Sequence, residues 1–371
     1  DEEFSTYEGQ NIKIDLKGYT IGSSNPNTPI CTNNGTLQIV DTSTEKTGKL
    51  ENLNGTAIEN KGTLTIGDNS TEIEMEVPTI YGKQIGIKNE GTFNFYDGKI
   101  QGTAPIQGNV TNTPSEYGPV STGYENGITT VQLGIVSGYE ARIEWVYYTT
   151  VQGAVDATKT NVSEKERETV TIIKDIQLKE ILEINMAKNM LLDLNGNTLT
   201  ITEKDRVINN IGNLEIIDSS IEQVGKITNT SNRKGTNSNK IYTTGIYNSG
   251  NQNLKISGGI IETNSTNSYN YSTVIYNENN GTIEITEGII NSSGSNDKNY
   301  GIYNKNNGII KIMGGTVNGN NDNKSSYGIY NESSGTIKIE GGTINNDNNY
   351  DDGNTYGVYN ASSGTVEVTG G

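Results

Sequence analysis

The sequence predicts an all-β fold, a parallel β-helix (β-solenoid) in two tandem modules, with one short capping helix at about residues 150–159. Two patterns carry this reading. The first is a short repeat in the C-terminal third: Gly245-Ile-Tyr-Asn248, Val274-Ile-Tyr-Asn277, Gly301-Ile-Tyr-Asn304, Gly328-Ile-Tyr-Asn331 and Gly357-Val-Tyr-Asn360, with Asn-to-Asn spacings of 29, 27, 27 and 29. Six residues after each Asn comes a second apolar alternation, such as Ile310-Lys-Ile312 or Ile337-Lys-Ile339, closed by a Gly-Gly or Glu-Gly pair. Period-two patterning bounded by glycine and asparagine means strands and turns. The second pattern is a longer repeat. Asp15-Leu-Lys-Gly-Tyr-Thr20 matches Asp193-Leu-Asn-Gly-Asn-Thr198, Leu37–Asp41 matches Leu214–Asp218, and Gly48-Lys49 matches Gly225-Lys226.

A single 27-residue unit cannot fold alone, because ordering each residue costs about 1–2 kcal/mol and one unit brings only about four inward aliphatic side chains. Stacked copies share a core and pair their backbones with the rungs above and below. The composition then makes sense. Only 31% of residues are hydrophobic, a proportion typical of disordered chains, yet a narrow solenoid needs few inward side chains per turn. Of the 52 asparagines, 26 lie in the last 127 residues, where the rungs are clearest.

In chain order, residues 1–110 read as the C-terminal part of the first module. Ile30-Cys-Thr-Asn33, Ala57-Ile-Glu-Asn60 and Gly86-Ile-Lys-Asn89 are each followed four residues later by Leu37, Leu64 or Phe93. Residues 111–144 read as a junction, in a region that holds Pro105, Pro114 and Pro119. Residues 145–371 read as the second module. It opens with a strand over 143–148 and a helix over 150–159 whose apolar face is Val151, Ala154 and Val155. Strands at 170–173 and 181–184, then Val207-Ile-Asn209, lead into the repeating rungs. The helix is expected to cap the first rung, where an open sheet edge needs protection.

Strand parity assigns the faces. If the Ile of each Ile-Tyr-Asn points inward, the Tyr points out and the Asn points in at the corner. Asn33, Asn60, Asn89, Asn209, Asn248, Asn277, Asn304, Asn331 and Asn360 are therefore expected to form an internal asparagine ladder. Tyr247, Tyr276, Tyr303, Tyr330 and Tyr359 would form an outward stripe. Such a stripe either stacks ring on ring or offers stacking faces to a sugar chain. A second line, Tyr300, Tyr327 and Tyr356, is expected to pack at a bend.

Composition excludes several chemistries. The chain contains no histidine, so imidazole-based nucleophilic sites, His-Glu-x-x-His zinc sites and histidine proton relays are impossible within it. One cysteine, Cys31, forms neither an internal disulfide nor a thiolate cluster, and reads as a core residue. A net charge of −17 with only four arginines argues against nucleic acid and anionic membrane surfaces. No apolar run approaches the ~18–20 residues of a membrane span. The acidic loop at Asp347, Asp351 and Asp352 lacks calcium-loop spacing, and Glu164, Glu166 and Glu168 alternate with Lys165 and Arg167 as a wetted loop does. No cofactor and no metal site are expected.

On the Asp-Leu-x-Gly-x-Thr strands, the Asn-Gly-Thr-(Leu/Ile)-x-Ile rungs and the helix before a Thr-Val-Thr-Ile strand, the chain resembles the right-handed parallel β-helix proteins of the pectin-lyase-like superfamily. More narrowly, it resembles the repeat regions of large surface proteins from Gram-positive bacteria. That resemblance implies architecture rather than activity. Polygalacturonase-type members use an Asn-Thr-Asp motif, paired aspartates, a Gly-His-Gly motif and an Arg-Ile-Lys motif. Gly-His-Gly is impossible here, and Arg-Ile-Lys does not occur. The expectation is a non-enzymatic, extracellular structural or adhesive β-solenoid segment of a bacterial surface protein, with no catalytic residues. Its expected partners are further copies, end to end, or host or bacterial glycans. The end-to-end expectation follows from a chain that starts inside one module and stops at Gly370-Gly371 of an unfinished rung, and the non-enzymatic one from a repetitive, polar, histidine-free rod. The alternatives are a polysaccharide lyase or glycoside hydrolase using Asp/Glu or Lys/Arg, and a glycan-binding module using the Tyr stripe.

Overall fold

The structure, a computed structural model, describes residues 3–69, 77–231, 233, 235–236, 238–265, 269–321, 324–346 and 353–371. Its strands wind into parallel β-helical rungs, about 13 turns in all. The chain divides into two compact units, residues 1–139 with 145–147 and residues 140–144 with 148–371.

The first unit has three parallel faces, each built from strands about one rung apart in sequence. One contains Phe4–Thr6, Cys31–Asn33, Ile58–Asn60, Ile85–Asn89 and Ala104–Gln107. A second contains Asn11–Asp15, Thr36–Val40, Thr63–Ile66 and Thr92–Phe95, and the third runs through Thr20–Ser23, Lys49–Asn52, Thr79–Gly82 and Lys99–Gly102. Register stacks like on like: Leu37, Leu64 and Phe93 form one inward column, and Ile39, Ile66 and Phe95 the next. All six are fully buried. Cys31 stacks on Ile58 in the same core, and burial pushes its thiol up to about 12, so it is inert at neutral pH.

Within the stretch read as a junction, Tyr117–Glu125 and Ile128–Ile135 form an antiparallel hairpin. Its second strand pairs antiparallel with Lys99–Gly102 and turns Val131 and Leu133 inward. Asn126 and Gly127 take the two positive-φ positions (51° and 79°) that a tight hairpin turn demands.

The second unit repeats the three-faced plan. A seven-stranded parallel face contains Leu182–Ile184, Arg206–Asn210, Tyr242–Asn248, Tyr271–Asn277, Lys298–Asn304, Ser325–Asn331 and Thr355–Asn360. The other two faces are joined, because the strands Leu254–Asn264 and Thr282–Ser293 run on through the corner between them. Ile246, Ile275, Ile302 and Ile329 stack as one buried column. Leu254, Ile283, Ile310 and Ile337 stack as another.

The helix spans Val151–Ala157, with Thr150 as N-cap accepting the Gly153 N–H. Val151, Ala154 and Val155 are buried against the first strands of this unit. Two polar contacts seat it. The Gln152 amide exchanges hydrogen bonds with the Glu183 backbone (2.9 and 3.1 Å), completing the edge of Leu182–Ile184 as a neighbouring strand would. The buried Lys188 ammonium donates to the Asp156 and Thr158 carbonyl oxygens (2.8 and 2.6 Å), where the helix end leaves them without intrahelical partners.

Candidate functional site

The inward corner of the second unit holds a continuous amide chain. Asn210 donates to Asn248 (2.8 Å), Asn248 to Asn277 (2.8 Å), Asn277 to Asn304 (2.7 Å), Asn304 to Asn331 (2.7 Å) and Asn331 to Asn360 (2.8 Å). In the first unit, Asn33 donates to Asn60 and Asn60 to Asn89, each at 2.6 Å, and the file ends where Asn89 donates to the Gly91 and Asn109 carbonyls. Each amide both donates and accepts, as burial requires.

Asn209 does not belong to this file. Register sets Ile208 beside Ile246 and Asn209 beside Tyr247, so Asn210 takes the inward corner and Asn209 faces out to Glu183. The rung has two Asn in succession, and alignment on Val207 rather than Ile208 shifts parity by one residue.

Outside the same face, the tyrosines form a stacked file. Tyr247–Tyr276, Tyr276–Tyr303, Tyr303–Tyr330 and Tyr330–Tyr359 lie with centroids 5.3, 5.1, 5.2 and 5.2 Å apart and planes 12°, 16°, 1° and 17° from parallel. A second file, Tyr242, Tyr271, Tyr300, Tyr327 and Tyr356, lies beside it, and Tyr242, Tyr300 and Tyr327 meet it edge-on; Tyr300, for example, meets Tyr303 at 5.0 Å and 76°. Edge-to-face and offset contacts of this kind suit aromatic quadrupoles. The second line therefore packs against the stripe.

Tyr276 and Tyr303 are each only 8% exposed, and their faces are taken by neighbouring rings. Glycan stacking on the ring faces within the file is thereby blocked, and the surface presents ring edges and hydroxyls. At one end the Arg206 guanidinium lies 3.9 Å from the Tyr247 centroid. The Tyr247 hydroxyl donates to Glu278 and the Tyr303 hydroxyl to Glu332, while Lys305 holds Glu278 at 2.5 Å. Burial and the Glu278 contact push Tyr247 up to about 12. Burial, then the Glu332 contact, holds Tyr303 far above the usual phenol range.

The paired Asp-Leu-x-Gly motifs build one kind of corner in both units. Asp41 accepts the Gly18 and Gly48 N–H groups (2.8 and 2.6 Å), and Asp218 accepts those of Gly196 and Gly225 (2.8 and 2.6 Å). Asp15 binds the Thr42 N–H and hydroxyl as Asp193 binds those of Ser219. Glycine is required at 48 and 225, where a Cβ would meet the Asp41 carboxylate at 2.4 Å and Asp218 Oδ2 at 2.8 Å. Burial raises the Asp41 and Asp218 carboxyls, but the backbone and serine hydrogen bonds outweigh it and hold both below the usual range.

Two grooves among the described residues of the second unit bear on function. One, of about 460 Å³, is lined by Arg167, Asn213, Glu215, Lys255 and Glu284 among others. The buried Glu215 accepts from Arg167 (2.8 Å) and Ser257 (2.7 Å), with Lys255 at 3.1 Å. Burial would raise its carboxyl, yet these three donors hold it below the usual range, so it stays ionised and engaged at neutral pH. The other groove, of about 450 Å³, lies at the Tyr247 end of the stripe between Arg206, Arg233, Lys240 and Lys305. Arg206 is paired with Asp205 (2.7 Å) and Lys240 with Asp297 (2.7 Å).

No protein family, curated protein or solved structure matches this chain.

The loop acids Asp347, Asp351 and Asp352 lie outside the described residues. Among the described residues, no three acidic or cysteine side chains converge as metal ligands, and no helix is long and apolar enough to cross a membrane. Glu166 accepts from the Ser163 N–H and hydroxyl, and Glu168 from the Lys159 N–H, so two acids of the 164–168 loop brace local turns.

Sequence reading missed a second interior polar seam, at the third corner. There Asn52 and Asn229 donate to carbonyls, and Ser272 donates to Thr263 while Ser292 donates to Ser272. The signal for it is the polar residue that closes the third strand of each rung, as in Lys49–Asn52, Lys226–Asn229 and Ile260–Thr263.

Proposed function

We propose that this chain is a non-enzymatic structural segment of an extracellular bacterial surface protein, a β-solenoid spacer that carries or displays adhesive regions. One observation carries the reading: the amide, phenol and corner carboxylate side chains that recur along the rungs are engaged in holding rung to rung. The inward amides bond to the next rung's amide, the outward phenol rings stack on the next rung's ring, and the corner aspartates accept the backbone of the neighbouring turn. Glu215, the most enclosed acid of the larger groove, is saturated by a serine and two cations. A general acid needs a raised pKa, and a nucleophile a free lone pair facing the substrate; Glu215 has the opposite environment.

The test is turnover. Incubation with polyuronides and with neutral and sialylated host-type glycans is expected to release no oligosaccharide. Release that disappears in Glu215→Gln would overturn the structural reading in favour of a lyase or hydrolase.

A further inference from the structure

The tyrosine files hold a feature that stacking alone does not require. Two hydroxyls of the outer file, two rungs apart, donate to carboxylates: Tyr247 to Glu278 and Tyr303 to Glu332. Those acids follow the ladder asparagines Asn277 and Asn331, so the parity that stacks the rings also aims a proton acceptor at alternate phenols. Lys305, between them in sequence, holds Glu278 in its ionised form.

A phenol that loses an electron becomes a far stronger acid, so its oxidation is easy where a base already holds the proton and difficult where none does. Ring contacts at 5.0–5.3 Å from Tyr247 to Tyr359 provide a continuous path for sharing the resulting hole between rungs.

We infer that the stacked tyrosines form a redox-active array that accepts one oxidising equivalent from an outer-sphere one-electron oxidant and shares it from rung to rung. At Tyr303 the step balances as follows. The electron passes to the oxidant, which is reduced by one unit. The phenolic O–H bond breaks and its proton forms a new O–H bond on Glu332 Oε2, leaving a neutral tyrosyl radical beside a neutral carboxyl. In the onward step Tyr247 gives an electron to the Tyr303 radical across the Tyr276 ring, and the Tyr247 phenolic proton forms a new O–H bond on Glu278 Oε2. Tyr303 then recovers its proton from Glu332.

The chain contains its own controls. Tyr7, Tyr19 and Tyr124 are 66%, 77% and 76% exposed and make no ring contact among the described residues. A diffusing oxidant that reacts by access alone marks these three first. The experiment uses photogenerated tris(bipyridine)ruthenium(III), at less than one equivalent per chain, with a nitroso spin trap and peptide mapping of the adducts. The expected result is adduct in the array at about tenfold the level at each exposed control. Adducts distributed by exposure would overturn the inference.

Two variants that retain ring packing separate its parts. In Glu278→Gln/Glu332→Gln the preference for the array is expected to fall several-fold with unchanged circular dichroism; an unchanged preference would remove the proton-acceptor role. In Tyr300→Phe/Tyr303→Phe one rung of both files loses its phenols, and adduct yield at the remaining array tyrosines is expected to drop. Undiminished yield there would remove the sharing between rungs.

Discussion

Asn304 donates its side-chain amide to Asn331 Oδ1 at 2.7 Å while accepting from Asn277 at the same distance. On the other side of the same backbone, Tyr303 lies 5.2 Å from Tyr330 with planes 1° from parallel. Consecutive residues thus tie one rung to the next from inside and from outside. A unit that cannot fold alone is held by its neighbours, which is the nearest-neighbour logic of a solenoid.

Removing an interior ring from the stripe should be costly, whereas removing its hydroxyl should not. Tyr303→Ala is expected to destabilise the second unit by about 3 kcal/mol, through lost apolar burial and two lost ring contacts. Tyr303→Phe should cost about 1 kcal/mol or less, since the ring stays and Glu332 can turn to water. Chemical denaturation of both variants checks the order; equal costs would refute the packing role of the rings.

Acid should loosen the corners. Asp41 and Asp218 have folded-state carboxyls below the usual value, so the unfolded chain binds their protons first. Their contribution is complete above the unfolded pKa of about 3.9 and is lost as pH falls through the lower folded value. Melting temperature followed from pH 6 to pH 2 should fall in that window. Asp41→Asn/Asp218→Asn should melt lower at neutral pH and show a shallower acid slope.

Alkali should act on the stripe with the opposite sign. Tyr247 is pushed up to about 12 by burial and by Glu278, whereas an unfolded phenol ionises near 10. Its contribution is present below about pH 10 and is lost as pH rises through about 12. Phenolate absorbance at 295 nm during a melt at each pH should show ionisation and unfolding moving together.

One of the two polar contacts that seat the helix is a buried cation. Lys188→Met leaves the Asp156 and Thr158 carbonyl oxygens without their donor and is expected to cost about 2–3 kcal/mol. Proteolysis after residue 159 should accelerate in this variant; an unchanged cleavage rate would show that apolar packing and the Gln152 contacts seat the helix without Lys188.

The rung itself was legible because Ile, Tyr and Asn recur in one order at one spacing, and period-two parity converts order into faces. Parity also explains the failure at Asn209. Where two asparagines follow each other, the correct choice depends on which apolar residue starts the count, and only the pairing of Ile208 with Ile246 decides it. The Asp41 and Asp218 corners were visible as a repeated motif, but their role was not, because a carboxylate that accepts backbone N–H groups from the preceding turn is a long-range relation. The hairpin at 117–135 carried a local signal, Asn126-Gly127 between alternating strands, that the prolines around it obscured. The carboxylates beside Tyr247 and Tyr303 are likewise a cross-rung feature, since each acid belongs to the following rung.

The measurement that tests the account most directly is hydrogen exchange on Asn304→Ala beside the unsubstituted chain. Loss of this amide takes from Asn277 its acceptor and from Asn331 its donor on the neighbouring rung, leaving only long contacts within their own turns, an expected cost of about 2–4 kcal/mol. If each rung is held by its neighbours, exchange should accelerate most at Lys298–Asn304, less at Tyr271–Asn277 and Ser325–Asn331, and not at all at Ile58–Asn60 in the first unit. Acceleration confined to residue 304, or spread evenly over both units, would contradict it.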